Sequence, residues 1–80
     1  MNLTIEMHNP EAQIMRELTE FKGITQASVA ITYAFLIAQC GGKADWPKVN
    51  AAIMKRWPGK SALTRIKTLA WKQVDAWRAK

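Results

Sequence analysis

Lys55-Arg56-Trp57-Pro58-Gly59-Lys60-Ser61-Ala62-Leu63-Thr64-Arg65 is the stretch that decides the fold. One helical pattern runs into it and another runs out of it. Upstream, Trp46, Val49, Ile53 and Trp57 recur at i, i+3, i+7 and i+11, which is one face of a helix. Pro58 cannot continue the hydrogen-bond ladder, and Gly59 follows it as a turn residue. Downstream, Leu63, Ile66, Ala70, Val74 and Trp77 recur at spacings of three and four. The stretch therefore reads as a tight turn between helices at 46–57 and 61–78, with Ser61 as the N-cap of the second.

The same punctuation divides the rest of the chain. Asp45 is a cap residue with Pro47 in the turn after it, and Gly41-Gly42 ends whatever precedes. The run Val29 to Ala38 is apolar nearly all round, which predicts a central helix over 25–40, capped by Thr25 with Ser28 as an alternative start, and buried on most sides. This helix is also where a second copy of the chain would pack. Asn9-Pro10 marks a further start. A helix over 10–22 would turn Ile14, Leu18 and Phe21 inward and Arg16, Glu17 and Glu20 outward, with Gly23 as its stop. Residues 2–8 alternate polar and apolar, the period of a short strand or of an extended terminus. The expected fold is all-α. It is a compact four-helix domain over 1–80, with an N-terminal segment 1–23 that includes a short β-strand option. A three-helix unit over 24–80 ends in a helix-turn-helix-like pair.

A chain of 80 residues buries only about 60% of the surface its unfolded form exposes. Yet 49% of its residues are apolar and four are Trp. Such a surplus points to a dense aromatic core or to apolar surface covered by a homodimer partner. The one cysteine, Cys40, excludes an intrachain disulfide and reads as a small buried core residue. No basic n-region precedes an apolar run, and the most apolar stretch is too short to span a bilayer. Cytoplasmic residence is the expectation, with nucleoid association if the protein binds DNA.

Charge is unevenly distributed. Residues 1–40 carry a net of −2 and residues 41–80 a net of +8. That asymmetry suggests that one end meets a polyanion. Catalysis finds little to work with. One His and one Cys build no convincing nucleophilic or metal set, and no glycine-rich phosphate loop follows a strand. No enzyme activity, cofactor or metal is expected.

The residues that could carry binding lie in and after the turn. A helix in the DNA major groove needs hydrogen-bonding side chains on its outer face near its N-terminal half. Ser61, Thr64, Arg65 and Thr68 meet that description, and Arg65 could fork onto a guanine edge. Lys55, Arg56, Lys60 and Lys72 are better suited to phosphates, which position without specifying. The free N–H groups of residues 61–63 could hold a phosphate as well. The plainer reading of this stripe is a solvated basic face. Trp46, Trp57 and Trp77 fall on core faces, whereas Trp71 falls on the flank, where it could stack on a base or cover an interface edge.

With capped helix, Pro-Gly turn and capped basic helix in place, residues 45–72 resemble the helix-turn-helix part of homeodomain or Myb-like tri-helical units. The likeness extends over residues 25–78, and it implies that 61–72 is a recognition helix. Two features depart from related patterns. Trp46, Trp57, Trp71 and Trp77 lack the even spacing of Myb repeats. Lys55 fills a position that phage repressors usually give to a small residue. Residues 1–40 resemble a ribbon-helix-helix repressor, which implies a dimeric ribbon carrying Asn2, Thr4 and Glu6 outward. The expected function is that of a small DNA-binding transcriptional regulator of bacterial, phage or mobile-element type, with duplex DNA as partner. The alternative is a phage-type inhibitor or adaptor, anti-CRISPR-like or active in host takeover, that presses its basic face on an acidic protein surface. A membrane-surface role for residues 61–80 is disfavoured, because their apolar face continues a folded-core pattern.

Overall fold

The computed structural model describes residues 8–79. Four α-helices occur among them: α1 (Pro10–Glu20), α2 (Gln26–Gln39), α3 (Trp46–Arg56) and α4 (Ser61–Arg78), with a single 3-10 turn at Gly41–Lys43. The all-α, four-helix expectation holds. The strand proposed for residues 2–8, and with it the ribbon, lies outside the described residues, apart from His8, which is exposed in a bend.

Three helices begin as their cap residues dictate. The side chains of Asn9, Thr25 and Asp45 accept the backbone N–H of Ala12, Ser28 and Lys48 respectively. Pro10 and Pro47 occupy the first turns of α1 and α3, where a missing N–H costs nothing. α4 differs from the expectation. Its N-cap is Lys60, no side chain caps it, and Ser61 is already its first helical residue. The cause lies in the turn. Trp57, ahead of a proline, is extended, and Gly59 adopts φ +98°, a left-handed conformation that glycine alone takes at no cost. The chain has then turned far enough for the Lys60 carbonyl to accept from Thr64 N at 3.0 Å. With its backbone already helical, Ser61 cannot fold its hydroxyl back as a cap.

α2 is the wall on which α1 and α4 lean. Val29, Ala30, Tyr33, Ala34, Leu36 and Ile37 are all buried. The backbones of α1 and α4 both lie close against it and do not approach one another among the described residues, and that of α3 comes close to both. α4 lies chiefly against α2 rather than against α3, its neighbour across the turn. Gln26 bonds Arg65 near one end and Phe35 packs on Trp77 near the other, with ring centroids 4.8 Å apart. α2 and α4 therefore run parallel, and α3 is the segment that carries the chain back between them.

Two face assignments in the first helical segment need correction, one inward and one outward. Phe21 is 41% exposed, because α1 ends at Glu20 and Phe21 leaves it in an extended conformation. Gly23 has no positive φ and is not the stop. Glu17, expected outside, is buried at 8% exposure. Its carboxylate accepts from the Thr32 hydroxyl at 2.8 Å and from Gln13 Nε2 at 3.1 Å, so burial does not leave it unpaired. Ile14 and Leu18 are buried as expected. At the far end of α1, Glu11 accepts from Asp45 N at 3.1 Å and lies 4.0 Å from the Lys48 ammonium, which ties α1 to the start of α3. Trp46, Trp57, Trp77 and Cys40 are partly buried against the core, while Trp71 is 44% exposed.

Candidate nucleic-acid interface

The inner face of α4 is fixed by Ala62, Ile66, Ala70 and Val74, all buried against the core. That leaves a broad outer face. Ser61, Thr64, Arg65, Lys67, Thr68, Trp71, Lys72, Asp75 and Arg78 are all exposed on it. The helix carries four cations (Arg65, Lys67, Lys72, Arg78) against one acid, Asp75. The single ion pair among the described residues, Lys48–Glu11, lies elsewhere. Among the described residues, no ion pair neutralises the positive charge of α4.

The residues singled out from sequence separate into four groups. Thr64, Thr68 and Lys72 stand together on the outer face, where they line an open groove of about 470 Å³ with Lys67, Trp71 and Asp75. Lys60 and Ser61 stand at its N-terminal end, where the uncapped first turn presents its N–H groups. Lys55 is exposed near the end of α3.

Arg56 and Arg65 are engaged within the protein. Arg56 Nη2 donates to the carbonyl of Phe21 at 3.3 Å and to that of Lys22, so its guanidinium closes the loop after α1. It also lies over the Trp57 ring, 5.8 Å from the centroid. Arg56 thus has partners within the protein, and a phosphate contact would have to share a guanidinium whose Nη2 already holds two carbonyls. Arg65 remains exposed, but its Nη1 donates to Gln26 Oε1 at 2.9 Å. A fork onto a guanine would have to loosen that bond.

The chain matches no family model, no curated protein and no solved structure.

A second concavity was not foreseen. An open cleft of about 460 Å³ lies between α4 and the turn after α2, lined by Tyr33, Ile37, Gly41, Gly42, Trp46, Asn50, Lys67, Trp71 and Arg78. The Tyr33 and Trp46 rings meet at 5.0 Å, tilted by 42°. Trp46 Nε1 donates to the Gly41 carbonyl at 2.8 Å, and the Tyr33 hydroxyl donates to Asn50 Oδ1 at 3.0 Å. Burial pushes the Tyr33 phenol up to about 12, so it is the neutral donor at physiological pH. Arg78 sits 5.9 Å from the Trp71 ring centroid. One signal for this cleft was present in the sequence. Lys67, Trp71 and Arg78 recur at i, i+4 and i+11, a flank adjoining the stripe of Thr64, Thr68 and Lys72. The partners from α2 and α3 had no such signal, because their meeting depends on tertiary packing.

Among the described residues no three His, Cys, Asp or Glu side chains come together as a metal site. No described helix is long and apolar enough to cross a membrane.

Proposed function

We propose that the protein binds nucleic acid through the outer face of α4, with duplex DNA as the target and a small regulator's role. One observation carries the reading. α4 is held by α2 along its inner face while its outer face displays hydroxyls and unpaired cations that the rest of the fold leaves uncovered. An α-helix fits the major groove, and Thr64, Thr68 and Arg65 are the side chains that would meet base edges. Lys60, Lys67 and Lys72 would meet phosphates, aided by the open N–H groups at the start of α4.

The test is binding of a labelled blunt duplex at 50 and 200 mM salt, read by fluorescence anisotropy. Affinity should fall steeply with salt, each phosphate contact adding about 0.9 to the log–log slope. The double substitution Lys60→Ala/Lys72→Ala should lower the slope by about two. A folded double variant that binds like the parent protein would sink the assignment. Absence of duplex binding, with a stoichiometric complex on an acidic protein, would favour the inhibitor or adaptor reading instead.

A further inference from the structure

We infer that the cleft between α4 and the turn after α2 is a site for an unpaired nucleotide, its base among the aromatic rings and its phosphate on Arg78. The inference adds a second site to the duplex reading, and either can fail without the other.

The chemistry of the lining selects this ligand class. Tyr33 and Trp46 give one aromatic side and Trp71, from α4, gives another. Stacking on exposed indole is the common means of holding an unpaired base, because every base has a π-face. Lys67 and Arg78 are the charged residues of the lining, and no carboxylate accompanies them among the described residues. The cleft is therefore apolar in its walls and positive at its edge, which suits an aromatic group bearing an anion. Its volume, about 460 Å³, lies within the ordinary range for small-ligand sites.

Two internal bonds leave suitable groups for a ligand. The Asn50 oxygen accepts from Tyr33, so its amide hydrogens are the end offered to a base edge. Arg78 lies over Trp71, where a cation holds an aromatic face that a base would take on binding. Displaced from the ring, the guanidinium would remain close enough for a phosphate. Trp46 is fixed by its bond to Gly41 and by its packing on Tyr33, so that wall is preformed.

The ligand could arrive as a free mononucleotide or as an unpaired residue within a strand. Thymidine 5′-monophosphate and the oligonucleotide (dT)8 separate these sources. Both are titrated calorimetrically into the full chain, into Trp71→Ala and into Arg78→Ala, with the blunt duplex as a control. We expect (dT)8 to bind and Trp71→Ala to weaken it about tenfold. Arg78→Ala should weaken it severalfold. Binding of the monophosphate with the same dependence on Trp71 would identify a free nucleotide as sufficient. Failure of both probes to bind, or (dT)8 binding unchanged in both variants, would overturn the inference while leaving the duplex reading intact. Trp71-dependent (dT)8 binding without duplex binding would overturn the proposed function and leave this site standing.

Discussion

Arg65 donates from Nη1 to Gln26 Oε1 at 2.9 Å, joining the second turn of α4 to the first residue of α2. The bond is exposed and contributes little to stability. Its interest is that it occupies the side chain best shaped to read a base. We predict that Gln26→Ala changes unfolding free energy by no more than about 0.5 kcal/mol and leaves duplex affinity equal or higher. Arg65→Ala should weaken duplex binding severalfold. Equal losses from both variants in an anisotropy titration would mean that Gln26 positions the arginine rather than restrains it.

Arg56 should behave in the opposite way. Its guanidinium satisfies two carbonyls after α1, and hydrogen bonds to charged groups are among the stronger ones. Arg56→Ala is expected to cost about 1–2 kcal/mol. In a domain of this size that lowers the melting temperature by about 4–8 °C per kcal/mol. Duplex affinity, measured well below the transition, should stay within twofold. Lysine at 56 should recover part of the loss, because both carbonyls are held by one terminal nitrogen, Nη2, rather than by the guanidinium fork. An unchanged melt with weakened DNA binding would return Arg56 to the interface.

The buried Glu17–Thr32 pair gives a test of the core. Thr32→Val removes the hydroxyl and leaves the carboxylate with Gln13 alone. The expected cost is about 1–3 kcal/mol in urea unfolding. Adding Glu17→Leu should return much of it, since replacing both partners by apolar groups can be nearly neutral. A double variant as unstable as the single one would argue that the pair also sets how α1 sits on α2.

Tyr33 sets an alkaline limit. Its phenol is raised from 10.0 to about 12 by burial, so above pH 10 the unfolded chain loses this proton while the folded chain keeps it. The unfolded state then binds fewer protons, and stability must fall as pH rises. The contribution is whole below pH 10 and lost progressively towards pH 12. Tyr33 is the protein's only tyrosine, so tyrosinate absorbance near 295 nm reports it alone. A midpoint near 10 in the folded protein would contradict the burial argument.

Much of the fold was legible because local signals agreed. Asn9, Thr25 and Asp45 fixed three helix starts, and the Trp46–Trp57 and Leu63–Trp77 periodicities fixed two inner faces. The misreadings share a cause. Glu17 was placed outside because it is charged, yet Thr32, fifteen residues away in sequence, supplies a partner that makes burial tolerable. Ser61 was read as a cap because serine favours that position, but the geometry of Gly59 moved the helix start by one residue. For the candidate site, the outer stripe of α4 followed from spacing alone. That Arg56 is committed elsewhere, and that Trp46 and Trp71 line one cleft, depends on contacts between distant segments.

The separation of α1 from α4 by α2 has a consequence for how such a protein can vary. Side chains on the outside of α4 touch solvent and, apart from Arg65 and Arg78, are tied to nothing else in the bonds described above. They can be exchanged a few at a time without disturbing the packing that holds the helix. The interior face of α2 has no such latitude, because the same side chains serve neighbours on both sides. Changes in target preference should therefore accumulate on α4, while the body beneath it stays nearly constant.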